Sequence, residues 1–217
     1  MPSRRRARQT APETVASIRP LRGDPEAETF VDAVLPWVHE AGCPYFDWFF
    51  GGSEAALETL DAWMRRPSSE VYVERLTVLE EGDRPIGGFV ALSGAELEQC
   101  RGEDAMAAIK AAGRDGLAEL RARLAGGKEL FAPVGHDDFY LSKIGVLREL
   151  RGRRYGTQLL ERYLADGRLR GFRRFRLDVS ADNEPALGFY RGSGFEIVNE
   201  SASADSGLAY VSLLLED

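Results

Sequence analysis

The chain predicts an α/β (α+β) fold, a mixed central sheet of about six to seven strands flanked by helices, on three observations. Residues 139–146 (FYLSKIGV), 154–167 and 175–179 read strand, helix, strand, a βαβ unit with parallel strands and a right-handed crossover. Residues 71–79 (VYVERLTVL) and 86–92 (IGGFVAL) are β-rich runs divided by Glu80-Glu81-Gly82-Asp83, an antiparallel hairpin. Between these units, residues 94–135 repeat Ala105, Met106, Ile109, Leu117, Leu120 and Leu124 at helical spacing, with Gly113, Gly116 and Gly126-Gly127 as punctuation. That stretch reads as a helical insertion after the third strand.

The remaining elements follow in order. Residues 15–21 (VASIRPL) form a short first strand, and Asp24-Pro25 opens a helix through Phe30, Val31, Val34 and Leu35 that Pro36 ends or kinks. Trp37, Tyr45, Phe46, Trp48, Phe49 and Phe50 make an aromatic cluster closed by Gly51-Gly52. A second helix begins at Ser53 and stops near Met64, before Pro67. In the βαβ helix Tyr155, Leu159, Leu160, Tyr163 and Leu164 share one side. A short helix over 184–191 then leads to strands at 195–198 and 208–215.

Size and composition narrow the function. A chain of 217 residues with 44% hydrophobic and 29% charged residues is an ordinary globular one, expected to form a single domain over 13–217 behind a disordered basic tail at 1–12. No apolar run approaches the ~20 residues of a membrane span, and no apolar region follows the basic start, so the expected address is the cytoplasm. Cys43 and Cys100 lack a CxxC or Cys/His cluster and read as reduced thiols, with no metal site expected. Charge is sorted along the chain: residues 143–176 hold eleven Lys/Arg against three Asp/Glu, and residues 24–142 hold ten against 23. One region favours an anion and another a cation. The acidic surroundings argue against nucleic acid as a partner.

The chemistry is concentrated in Arg151-Gly152-Arg153-Arg154-Tyr155-Gly156-Thr157, between a strand end and the first turn of a helix. The first amides of a helix have no intrahelical partner and lie at its positive end, so a turn placed there receives a phosphate. Gly156 admits a close approach, and Arg148, Arg151, Arg153 and Arg154 add charge-assisted contacts, which suits a pyrophosphate. One helix and one strand later comes a second block, Asn183-x-x-Ala186-x-x-Phe189-Tyr190-x-x-x-Gly194-Phe195.

Together the two blocks resemble the GNAT (general-control-related N-acetyltransferase) superfamily over about 60 residues, from Phe139 to Val198. The family loop reads Gln/Arg-x-x-Gly-x-Gly/Ala; Arg151 and Gly156 match, and Arg154 stands where the first Gly belongs. Arg154 is therefore expected to forgo a Gly-only backbone geometry and to add a phosphate contact. The resemblance implies acetyl-CoA as co-substrate, with Gly145 and Val146 bonding the pantetheine arm through their backbone beside a bulge that splays the fourth strand from the fifth. It implies further that the amides of 151–157 hold the pyrophosphate, that Asn183 contacts pantetheine and that the Tyr190 hydroxyl faces the CoA sulfur as the catalytic acid.

The implied activity is N-acetyltransfer from acetyl-CoA to a primary amine by direct attack, with a CoA-binding sensor lacking turnover as the alternative. An alkyl ammonium has a pKa of roughly 10, so the acceptor must lose a proton before attack. Glu40, Asp47, His136, Asp137 and Asp138 are candidate bases. The acidic front half predicts a cationic acceptor, and the aromatic cluster is expected to line its pocket. Residues 94–135 are expected to cover the acceptor mouth as a lid, with a homodimer interface as the rival use.

Overall fold

The structure, a computed structural model, describes residues 16–217; the predicted tail lies outside the described residues. Seven strands, β1 (Ala16–Pro20), β2 (Leu76–Glu81), β3 (Arg84–Ser93), β4 (Asp138–Val146), β5 (Arg174–Ser180), β6 (Glu196–Ala202) and β7 (Ala209–Glu216), form one sheet in the order β1-β2-β3-β4-β5-β7-β6. Every neighbouring pair is antiparallel except β4–β5, the parallel pair of the βαβ unit.

Helices cover both faces. On the front lie α1 (Val31–Gly42), α2 (Tyr45–Phe50), α3 (Ser53–Met64) and α4 (Gly94–Leu130). Val34, Trp37 and Val38 of α1, Leu60 and Met64 of α3 and Leu97 of α4 are sealed against Leu76, Val78, Val90 and Tyr140 of the sheet. On the back, α5 (Tyr155–Leu169) buries Leu159, Leu160 and Tyr163 against Phe139, Leu141 and Phe175, and α6 (Glu184–Gly192) adds Tyr190. None of the helices among the described residues is long and apolar enough to cross a membrane.

Two elements depart from the sequence expectation, and a third, the helical insertion, agrees with it. Helix α1 runs through Pro36 to Gly42; Pro36 removes one early ladder bond, which the burial of Val31, Val34, Trp37 and Val38 outweighs. Residues 71–75 are a turn and a 3-10 turn rather than the start of β2, although Val71 and Val73 are buried as their alternation implies. Local bonds bend that segment: Tyr72 N–H to the Ser69 carbonyl (3.3 Å), Arg75 N–H to the Tyr72 carbonyl (2.8 Å) and the Arg75 Nε to the Ser69 carbonyl (3.0 Å). The insertion is one 37-residue helix broken at Gly113, whose φ of 61° and ψ of −162° suit only glycine. Its start is fixed by a capping box between Ser93 and Glu96.

Candidate functional site

The site begins where β4 and β5 part. They share only four rungs, Asp138↔Arg174 to Leu141↔Leu177, although β4 continues to Val146 and β5 to Ser180. The cause lies on the other edge of β4, where Val90 pairs with Lys143 and Ala91 with Leu141, leaving Ser142 as an extra residue. Such a bulge bends its strand and re-aims it, here away from β5.

Beyond the bulge, the Leu147 N–H donates to the Ile86 carbonyl (2.9 Å) and Gly145 pairs with Gly88. Peptide groups alternate between strand edges, so those of Val146 face the splay and those of Gly145 face β3. Glycine at 145 has a separate reason: a Cβ there would lie 3.0 Å from the Trp37 ring, which packs flat across β3 and β4. The Val146 carbonyl accepts from the Arg151 Nε at 3.0 Å, which ties the following loop to the mouth of the splay.

That loop reaches α5 through two left-handed residues, Gly152 (φ 81°) and Arg154 (φ 65°, ψ 11°). Arg154 is the only non-glycine residue at positive φ among the described residues, so it adopts the turn that the missing glycine was expected to deny. Left-handed backbone costs an ordinary residue about 1–2 kcal/mol, which the surrounding turn overcomes. The first-turn amides of Tyr155, Gly156 and Thr157 have no intrahelical acceptor, no side chain caps the helix and its first turn holds no acid. A Cβ on Gly156 would meet nothing within 4 Å, so the approach is open. Arg153 and Arg154 are exposed beside it, while the Tyr155 hydroxyl donates to Glu81 at 3.0 Å.

Arg151 and Arg148 are not free: they clamp Glu40 of α1 at 2.7 and 3.2 Å. Burial pushes the Glu40 carboxyl up, but the two arginines outweigh it and hold it below its ordinary range. Glu40 is thereby held as a carboxylate against the arginine-rich loop.

Asn183 caps α6, accepting from the Ala186 N–H at 3.2 Å, so its carbonyl oxygen is committed and its amide NH2 remains to donate. Tyr190, on the same helix, packs between Phe189 and Phe195 with 6% exposure. Its hydroxyl has no hydrogen-bond partner among the described residues, and burial raises its pKa far above neutrality. It is a phenol kept protonated and left with a bond to offer.

On the front of the bulge stands a buried polar cluster that the sequence reading missed. Glu70 accepts from Ser142, from the Lys143 Nζ (3.3 Å) and from the Arg101 Nε (3.2 Å). Arg101 of α4 also donates to the Tyr140 hydroxyl (3.3 Å), which donates to Asp178 (2.9 Å), and Asp178 accepts in addition from Ser212. Burial would raise the Glu70 carboxyl, yet Lys143 and Arg101 hold it at about 2; burial lowers Lys143 in turn. Ser142 and Asp178 are the first residues past the last β4–β5 rung, so the cluster frames the mouth of the splay.

The second half of α4 roofs this region. Gly126 lies against Trp48 and Ser203, Gly127 against Tyr45, and Phe131 packs on Tyr45 and Tyr210 with ring centroids 5.0 and 4.9 Å away. The aromatic cluster is divided in its use: Phe46 and Phe49 are buried, and the Lys143 Nζ sits 5.0 Å above the Phe46 ring. A cavity of about 290 Å³ lies between α2, α3 and α4 near the Gly113 break, away from the splay.

The other candidate bases are engaged elsewhere. Asp138 is buried on the Gly135 amide and Arg174, and exposed His136 meets Glu98. Asp137 is exposed. Asp47 bonds His39 (2.7 Å) and Ser53 (2.9 Å). His39, Cys43 and Asp47 form a cluster with ligand atoms within 4.8 Å, so Cys43 does have a histidine neighbour, one helical turn back, contrary to the sequence expectation. Burial and the neighbouring Asp47 raise the Cys43 thiol to about 11, so it is held as a thiol.

The fold recurs in solved structures. An N-acetyltransferase from Staphylococcus aureus Mu50 aligns with a TM-score of 0.65 at 18% identity, covering 92% of this chain and 100% of its own. A Drosophila melanogaster polyamine N-acetyltransferase that forms N-acetylagmatine aligns at 0.60 and 16% identity, covering 94% and 100%. The NatC complex bound to Gag peptide and CoA aligns at 0.53 and 14% identity, covering 93% and 98%. No curated protein sequence matches the chain significantly. The sequence pattern of the Acetyltransferase (GNAT) family matches residues 34–195, from α1 through the splay and the arginine-rich loop to Phe195, and the chain belongs to that family.

Proposed function

We propose that the protein transfers an acetyl group from acetyl-CoA to a primary amine by direct attack. The observation that supports this most is the parting of β4 and β5 in front of an uncapped, arginine-rich helix start. The pyrophosphate binds the amides of Tyr155, Gly156 and Thr157, with Arg151, Gly152, Arg153 and Arg154 around it. The pantetheine arm lies in the splay, bonded to the peptide groups of Val146 and to the free amide of Asn183. This brings the thioester to the level of Ser142 and Asp178, where the amine arrives from the front of the sheet.

The amine nitrogen, as the free base, attacks the thioester carbon, the C–S bond breaks as the tetrahedral intermediate collapses, the departing thiolate takes the Tyr190 proton, and the surplus proton of the nitrogen passes through water to the Tyr190 phenolate, which restores the phenol. Titration calorimetry with acetyl-CoA tests the reading. Binding is expected at low salt and weaker binding at high salt, as the loop charges are screened. Arg151→Ala is expected to weaken it by about 1.5–3 kcal/mol, roughly ten- to a hundredfold in Kd. Absence of binding at low salt overturns the proposal; binding with no thiol release across a panel of amines leaves a sensor in its place.

A further inference from the structure

Arg176 sits in the middle of β5, level with Tyr140 of β4 and Leu214 of β7, and is only 7% exposed. Its Nε and Nη2 are buried without a hydrogen-bond partner among the described residues. The carboxylates that share its face of the sheet are already taken. Asp178, two residues along, accepts from Tyr140 and Ser212, while Asp138 and Glu216 are bound to Arg174. A guanidinium does not shed its charge, so a buried one without a partner is costly until an anion completes its surroundings.

The neighbouring charges sharpen the point. Arg101 and Lys143 share a single carboxylate, Glu70. Counting Asp178, the front cluster holds three cations against two carboxylates, one positive charge in excess. The acidity of residues 24–142 as a whole therefore misleads about this site, because most of those acids stand on the outside of the protein. The planar fork of Arg176 suits a carboxylate, which it binds through two parallel N–H bonds.

From these observations we infer that the amine acceptor carries a carboxylate, as an amino acid or other short amino carboxylic acid does, and that Arg176 anchors it. This rests on the proposed function, which puts the thioester at the level of Asp178. Arg176 and Asp178 are two steps apart on the strand, roughly 6.6 Å, so amine and carboxylate lie within about 7 Å of each other. Arg101, stacked at 5.2 Å over the Tyr140 ring and 5.8 Å from Phe131, closes the compartment from the α4 side.

The test compares amino acids with the amines left by their decarboxylation, using acetyl transfer and thermal shift on the whole protein, with and without CoA. Wild type is expected to favour the carboxylate-bearing member at least a hundredfold in kcat/KM and to gain thermal stability from it alone. Arg176→Met removes an unpaired charge while keeping an unbranched side chain. It is expected to raise the melting temperature of the free protein, abolish both preferences and leave CoA titration unchanged, and Arg176→Lys is expected to retain part of each preference. Equal or better use of the decarboxylated amines overturns the inference, as does an unchanged preference or a lower melting temperature in Arg176→Met. Should CoA fail to bind at all, the acetyltransferase reading falls, and the thermal shift without CoA still decides whether Arg176 receives a carboxylate.

Discussion

The two sides of the Ser142 bulge use charge in opposite ways. On the loop side Arg148, Arg151, Arg153 and Arg154 are exposed, held by little more than Glu40, and the amides of the first α5 turn are unclaimed. On the front side Glu70, Arg101, Lys143, Tyr140 and Asp178 bond one another beneath α4, and only Arg176 is left over. An exposed set exchanges water for a ligand at little cost and binds with a strong salt dependence. A buried network is assembled when the protein folds, and breaking it is felt in stability first. On the proposed function the loop side receives a large anion, while the front side fixes geometry.

The sharpest way to break this contrast is at Tyr190, between the two. Tyr190→Phe keeps the ring among Phe189 and Phe195 and removes a hydroxyl that has no partner within the described residues. Stability and acetyl-CoA affinity should therefore hold while kcat falls by about 10²–10⁴, the range of a positioned acid. Steady-state kinetics beside a melting curve decides it, and a loss of stability equal to the loss of rate would make Tyr190 structural.

Next in size is Glu70. Glu70→Gln leaves Arg101 and Lys143 facing a neutral partner and should cost about 3–5 kcal/mol near neutral pH. Because the folded carboxyl titrates at about 2, below its ordinary 4.5, its stabilisation is complete above pH 4.5 and disappears as pH falls toward 2. Denaturant titrations of both proteins should show a constant gap above pH 5 that closes over that interval. A gap independent of pH would mean that Glu70 acts by packing alone.

The smallest expected effect is on the loop side. Arg154→Gly relieves a left-handed residue and should raise stability by about 1 kcal/mol, or roughly 2–4 °C in Tm. Arg154→Val should lower it, because a branched side chain tolerates that backbone poorly. Calorimetry that ranks the three in any other order would show that the φ of 65° does not set the loop's stability.

What could be read from the sequence follows the same division. The arginine-rich loop lies within a few consecutive residues after a strand, so its place between β4 and α5 was legible without any tertiary knowledge. The βαβ unit and the hairpin were legible for the same reason, as local periodicity. The front cluster draws Glu70 from a turn, Arg101 from α4, Tyr140 and Ser142 from β4, Asp178 from β5 and Ser212 from β7, and each looks unremarkable in its own segment. The run VYVERLTVL was read as strand throughout, because the bonds that bend residues 71–75 involve carbonyls at 67, 69 and 72 that local periodicity does not reveal. Arg154 was misjudged because a residue type limits backbone conformation by energy rather than by prohibition.

The break at Gly113 makes the long helix two rods with different footholds. The first is tied to the sheet by the Ser93–Glu96 box and by the Arg101 bond to Tyr140, and to the segment after α3 by the Arg66–Asp104 pair; the second rests on α2 and the β6–β7 connection through Gly126, Gly127 and Phe131. Arg123 of the second rod donates to the Phe49 carbonyl of α2 (3.1 Å), whereas Arg101 of the first reaches Glu70 and Tyr140. The rod that carries Arg101 and the rod that rests on α2 thus meet at one residue, and a single glycine sets the angle between them.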